Sequence, residues 1–258
     1  MKGASMRISR KIKTRLGHLV VAVLFVAALE TLVGSGAVSQ LVMSRPSQIW
    51  LRLWEDLATS ELWLSLATTV HEVSIALVLS LLVGTSLGYA FYCFRTFRRA
   101  AEPLLVAFYS APAVLLYPVF MTLLGQSSAT VITMAVVLGS VPIAINVAVG
   151  FAGIEPIWRK VGQSLNATPR QMLLRIMIPA ATPVIVTGFR LGLTFALIGV
   201  IALEFLTYSG GLGRLISWRY FIFDTNGVYS GIVIVAVLSI LVNSLLGTLE
   251  RKVRSRWV

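Results

Sequence analysis

Cysteine is almost missing from this chain: its 258 residues contain one, Cys93, set in an apolar run. A single thiol excludes an intrachain disulfide framework and leaves the redox compartment undecided, and its apolar neighbours predict a buried packing role. Charge is scarce as well. Asp, Glu, Lys and Arg make up 12% of the residues, against roughly a quarter in a soluble domain, and the mean hydropathy is +0.86. Acids are scarcer than bases, giving a net charge of +12 and a pI near 10.6. In a soluble protein that excess would point to nucleic acid; here the bases sit at the ends of apolar runs, so no nucleic-acid partner is expected. Also missing are the alternation of a membrane-barrel strand, a long low-complexity linker, a metal-ligand cluster, a nucleophile constellation and any GxxxxGKS/T phosphate loop. His18 and His71 are isolated. The chain is therefore expected to be no enzyme and to hold no cofactor, so any energy it uses comes from another protein.

What is present is length without charge. Crossing about 30 Å of hydrocarbon takes about 20 apolar residues in a helix, and lipid offers no partner for an open backbone. Six stretches qualify, at about 19–42, 73–94, 104–124, 129–151, 184–206 and 228–249. The expectation is an all-α integral membrane protein with one permease-like domain over 19–249, a basic tail at 1–18 and another at 250–258. The basic start before "HLVVAVLFVAALETLVGSGAV" resembles a signal peptide, but the apolar run is too long and lacks a strong A-x-A site, which favours an uncleaved first span. Arg and Lys collect in the first tail, at Arg95, Arg98 and Arg99, at Arg159, Lys160, Arg170 and Arg175, and in the last tail. Only Arg45, Arg52, Arg214 and Arg219 fall on the other side. Positive residues favour the cytoplasm, so both termini and the loop at 152–183 are predicted to be cytoplasmic. "RPSQIWLRLWEDLATSELWLSLATT", with Trp50, Trp54 and Trp63, reads as an outer-face helix lying in the membrane interface.

The loop carries the sharpest local signals. Thr168, Pro169 and Gln171 have the spacing of an N-cap, a first-turn proline and a capping box. "EPIWRKVGQSL" repeats the acid-then-proline start, and Asn166 suits the left-handed turn between two helices. The second helix is expected to end before Pro179. Its Leu173, Ile176 and Met177 recur at helical spacing while Arg170 and Gln171 stay polar, which leaves an apolar stripe in need of a partner: the protein's own spans, the lipid surface or another protein.

The run "VGQSLNATPRQMLLRIMIPAATPVIVTGFRLGLTFALIGVIALEFL" resembles the signature loop and following span of bacterial binding-protein-dependent ABC importer permeases. Ile176, Ile178 and Pro179 fall at the motif's spacing after Asn166; Lys160, Val161 and Gly162 stand where the family has E-A-A, and Asn166 where it has glycine. "LVGTSLG", "SAPAVLLYPVFMTLLG", "YSGGLGRLI" and "LLGTLERKVRSRW" extend the resemblance from about 61 to 257, toward the taurine, nitrate, sulfonate and bicarbonate type. The resemblance implies a type I, MetI-like permease in the bacterial inner membrane, acting as a homodimer. It also implies two ATPase subunits that bind ATP and Mg, and an extracytoplasmic solute-binding protein. Lys160, Gln163, Leu165, Asn166, Ala167, Thr168, Arg170, Leu173, Ile176 and Pro179 would then form the ATPase-coupling loop. On this reading Leu173→Asp is expected to spare membrane insertion and abolish co-purification with the ATPase. A small anion such as a sulfonate, taurine or nitrate is the implied cargo; a vitamin precursor or an aromatic solute stays open.

Tyr109, Ser110, Pro112, Tyr117, Ser140, Asn146 and Glu204 are candidates to line the translocation path, offering hydrogen bonds or, at Glu204, a charge within the spans. Helix packing is the plainer use of the same residues. Glu30 and Glu72 are expected at exposed, interfacial span ends, and Arg190 is placed to snorkel. A different class of transporter, driven by protons on these carboxylates, predicts uptake without ATP.

Overall fold

The computed structural model describes residues 17, 20–21, 23–94, 96–101, 103, 113–207 and 209–254. Regular structure among them is helical: α1 (Val23–Gly34), α2 (Pro46–Leu57), α3 (Ser60–Cys93), α4 (Tyr117–Leu124), α5 (Ser128–Ala152), α6 (Pro156–Ser164), α7 (Pro169–Thr207), α8 (Gly211–Phe221) and α9 (Thr225–Arg254). Four of these are long and apolar enough to cross a membrane: α3, α5, α7 and α9, the last over Thr225–Lys252. They match the second, fourth, fifth and sixth predicted spans. The third falls largely outside the described residues, which resume with a 3-10 turn at Ala113–Leu116 leading into α4.

The first span ends earlier than expected. α1 stops at Gly34 because Gly36 takes a left-handed conformation (φ 78°), with Ser35 and Gly36 bonding back to the Thr31 and Val33 carbonyls. The predicted interface helix divides in two. Thr59 is extended, α2 ends, and Trp63 belongs to α3, while Trp50 and Trp54 meet edge-to-face at 5.7 Å on α2. α3 itself starts thirteen residues before the expected span: Glu61, His71 and Glu72 depress hydropathy without breaking a helix, and its 34 residues reach roughly 50 Å. Pro179 does not end a helix either. The turns from Met172 to Met177 are π-wound, which shifts the carbonyl pairing just ahead of the ring, and α7 continues through it for 39 residues.

α5 is the centre, flanked by α3 and α7. In lipid the close approach of helices comes from shape rather than from expulsion of water, so small residues line the contacts. A Cβ at Gly84 would stand 2.6 Å from Ile143 Cβ, and one at Gly139 would stand 2.7 Å from Ser80 Oγ. Val131, Met134, Ala135, Leu193, Leu197 and Leu203 fill one end of this core, and Ile143, Val147, Phe151, Met177 and Ile185 the other. Cys93 is exposed rather than buried: at the last turn of α3 the inward face is taken by Gly88 and Phe91.

Candidate functional site

Two clusters of unusual chemistry lie at opposite ends of α7. At the loop end, α6 closes with both bonds of a Schellman turn, Asn166 N–H to the Gln163 carbonyl (2.9 Å) and Ala167 N–H to the Gly162 carbonyl (3.0 Å). Asn166 sits at φ 48°. The capping box is complete: Gln171 N–H donates to Thr168 Oγ1 (3.3 Å), and Thr168 N–H to Gln171 Oε1 (2.9 Å). The loop is therefore helix, turn, helix, the first boundary held by backbone bonds and the second by the Thr168 and Gln171 side chains.

The apolar stripe has a partner inside the molecule. Met177 is buried with Phe151, Ile154, Ala181 and Ile185, and Met172 and Leu173 pack against them. Gly162 lets α6 lie on this segment, since a Cβ there would meet Met172 Sδ at 2.7 Å and Ile176 Cδ1 at 2.8 Å. Leu173 is half-buried in this packing, so Leu173→Asp is expected to disturb the fold of the loop as well as any surface that it offers a partner. The residues that do face out are Ile157, Trp158 (51% exposed), Val161, Leu165 (72% exposed) and Leu174. With Arg175, Ile176 and Pro179 three of them, Trp158, Val161 and Leu165, line a groove of about 410 Å³. Lys160, Gln163 and Arg170 are exposed around it, and Ala167 is half-buried. The Arg159 guanidinium rests over the Tyr92 ring, 5.8 Å from its centre, and ties α6 to the end of α3.

The other end is a corner where α7 turns into α8. Gly211 (φ 74°) makes the turn, and a Cβ on it would overlap the Glu204 carboxylate. The glycine run Gly210, Gly211, Gly213 is therefore what lets the chain fold around a buried acid. Thr69 Oγ1 donates to Glu204 (2.8 Å to Oε1), Gly213 N–H donates to Glu204 Oε2 (2.8 Å), and Leu212 N–H donates to Thr69 Oγ1 (2.8 Å). Gln126 Nε2 donates to the Thr207 carbonyl nearby. Glu72, expected at an exposed interface, has 0% exposure beside Glu204. The α3 extension packs against α8 and hides it.

Next to this corner lies a charged network that no spacing in the sequence announces. Asp56 of α2 is 1% exposed and takes a fork from Arg219 of α8, Nη1 at 2.8 Å and Nη2 at 2.6 Å. Ser230 Oγ donates to it at 2.6 Å, and Arg219 also donates to the Gly227 carbonyl. Arg52 bridges Asp56 (3.5 Å) and Asp224 (3.0 Å). Burial opposes the charge of Arg52, but Asp224, Asp56 and Glu55 outweigh it and raise its pKa above the ordinary arginine value. Asp56 and Arg219 are 163 residues apart, so only the fold joins them. Glu30 accepts from Ser47 N–H and Oγ (3.0 and 2.7 Å), which ties α1 to α2. Arg190 pairs with Glu250 of α9 at 3.0 Å.

The path candidates are dispersed. Tyr109, Ser110 and Pro112 lie outside the described residues. Tyr117 is half-buried on α4 and donates to Met121 Sδ. Ser140 is buried and bonds the Val137 carbonyl of its own helix. Asn146 bonds the Pro142 carbonyl, and a Cβ at Gly188 of α7 would overlap it. Ser140, Asn146 and Glu204 thus occupy contacts between helices.

The comparisons agree with this architecture. The chain is 31% identical over 200 residues to the formylaminopyrimidine transport permease protein ThiX of Halalkalibacterium halodurans, covering 78% of this chain and 80% of that one. It is 24% identical over 250 residues to the taurine transport system permease protein TauC of Escherichia coli, covering 95% and 90%. Its fold matches a chain of the MetNI methionine ABC transporter in an inward-facing crystal form, with a TM-score of 0.64 at 20% identity over 76% of this chain and 99% of that one. Residues 76–255 match the family described as the binding-protein-dependent transport system inner membrane component. The chain belongs to that family: it is a membrane-embedded ABC importer permease with a MetI-like fold, and not itself an enzyme.

Proposed function

We propose that this permease works as a homodimer, receives its solute from an extracytoplasmic binding protein, and is driven by two ATPase subunits seated on the loop between α5 and α7. The observation that carries the reading is the rigid helix–turn–helix with Trp158, Val161, Leu165 and Leu174 facing away from the bundle. A capped and internally packed unit can transmit a push without deforming, and exposed leucine and tryptophan beyond the spans gain from being covered by a partner. Lys160, Gln163 and Arg170 would supply the polar rim. The bases of this loop and of both tails favour the cytoplasmic side for it, where ATP is. Because α7 runs unbroken from Pro169 to Glu204, movement of the loop is delivered to the opposite corner, a rigid-body route to alternating access. Tyr117 and the segment from Tyr109 to Pro112 are the proposed path lining; Ser140, Asn146 and Glu204 hold helices together.

The cargo we favour is a small anion of the sulfonate class, in line with the similarity to TauC over 95% of the chain. An uncharged heterocycle is the second reading. It is favoured by the 31% identity to ThiX and by the pairing of Arg190, Arg219 and Arg52 with acids, which leaves those cations unavailable to an anion. Proteoliposomes carrying the permease, its ATPase and its binding protein, offered labelled taurine and a formylaminopyrimidine, separate the two. Uptake of either must require both ATP and the binding protein; uptake by this chain alone under a pH gradient would overturn the assignment.

A further inference from the structure

α2 is an amphipathic helix turned inside out. Its charged side faces the protein, where Asp56 takes the Arg219 fork and the Ser230 hydroxyl, and Arg52 reaches Asp224. Its apolar side faces away: Trp50, Leu51 and Trp54 are each more than half exposed, and the two indoles meet edge to face. Water is a poor neighbour for such a face, and patches of this kind mark either a membrane or a protein partner. The neighbouring helix decides between the two. The start of α1 is apolar all round, with Val23, Leu24, Phe25 and Val26 all exposed, and a helix of that composition outside a protein core belongs in hydrocarbon. Glu30 of α1 accepts from the amide and hydroxyl of Ser47 at the start of α2, so the two helices are joined. Between them runs a cleft of about 710 Å³, lined by Val23, Val26 and Ala27 on one side and by Pro46 and Trp50 on the other. On the next face of α2, Glu55 is exposed and pairs with Arg52, which marks the side toward water.

We propose that this cleft is a lipid seat: an acyl chain of a phospholipid from the leaflet at the corner end lies between α1 and α2, with Trp50 and Trp54 at the level of its headgroup. An indole is an apolar ring with a donor at its edge, and tryptophan therefore collects where acyl chains meet headgroups. A helix with one apolar and one charged side lies in the plane of that interface. Here the charged side is bonded to α8 and α9 instead of to water. A flexible hydrocarbon chain fills an irregular cleft without the matching surface that a folded partner must bring. All of the lining lies before residue 76, where the match to the permease family begins. α2 thereby stands between the bilayer and the Asp56–Arg219 pair.

The test uses the full chain in lipid nanodiscs. Phosphatidylcholine brominated at the acyl carbons nearest the headgroup, and iodide in the water phase, are compared as quenchers of tryptophan fluorescence in the wild type and in Trp50→Phe, which keeps an aromatic ring at an exposed site. The emission that Trp50→Phe removes is expected to be lost to the brominated lipid and retained against iodide. A second measurement needs no variant: a phospholipid with a diazirine at the same chain depth is photoactivated around the wild type, and its adducts are mapped by peptide mass spectrometry. Adducts are expected on 23–27 and 46–54, alongside those on the outward residues Ile232 and Val233 of α9, which serve as the control for a lipid-facing helix. Quenching by iodide in place of the brominated lipid overturns the proposal, because it puts the face in water. Protection from both quenchers overturns it too, since a protein such as a second copy would then cover the face. So does labelling of α9 with none on 23–27 or 46–54.

Discussion

At the corner end of the bundle Asp56, Glu204 and Arg219 are ionisable side chains carried inward, with partners drawn from α2, α3, α7, α8 and α9; at the loop end Ile157, Trp158, Val161 and Leu165 are apolar side chains carried outward. Each reverses what its residue types ordinarily do. The buried charges fix helices whose sequence positions are far apart, at a desolvation cost that only complete pairing offsets. The outward apolar residues sit on a unit whose own boundaries are fully bonded, so their exposure does not arise from disorder. One end is closed on itself and the other awaits a partner, and α7 connects them.

The comparison can be broken most severely at Asp56. Asp56→Ala would leave Arg219 buried without its counter-ion and is expected to cost about 3–5 kcal/mol, read as loss of thermal stability in detergent. Gly211→Ala forces a Cβ into a left-handed position against Glu204, with an expected loss of about 2–3 kcal/mol by the same measurement. At the loop end the effects on stability should be smaller. Thr168→Ala removes the cap that opens α7 and should cost about 1 kcal/mol. Leu165→Asp, at an exposed site, should change stability by no more than about 0.5 kcal/mol. Its neighbour in sequence but not in environment, Leu173→Asp, should destabilise by several-fold more, because it forces a carboxylate into the packing around Met177. If Leu165→Asp proved as destabilising as Leu173→Asp, the division between inward and outward faces of the loop would fail.

The loop was legible because its signals are local. Thr168 and Gln171, Asn166, and the prolines at 156 and 169 act within one turn of the chain, and the structure has a capping box, a left-handed turn and two helix starts at those positions. The long apolar runs likewise mark α3, α5, α7 and α9. Two kinds of feature escaped. Hydropathy placed the start of α3 too late and left Glu72 at an interface, since a charged residue lowers a window average whether it is exposed or enclosed by neighbouring helices. Pairings across the fold escaped as well: Asp56 with Arg219, Arg190 with Glu250, and Leu173 with the end of α5 depend on topology, which no periodicity contains. The glycines at 210, 211 and 213 were a usable signal, as three in four residues at the start of a helix imply a close backbone approach; Gly211 approaches the carboxylate of Glu204, and Gly213 the backbone of α7 beside it.

The claim that the outward face of the loop seats the ATPase is tested most directly by co-purification. Wild type and Leu165→Asp should be expressed with the cognate ATPase, extracted, and compared for permease folding and for ATPase recovered per permease. The account predicts a variant that folds as the wild type does, with recovery reduced at least tenfold. A folded Leu165→Asp permease that retains its ATPase in full would contradict it.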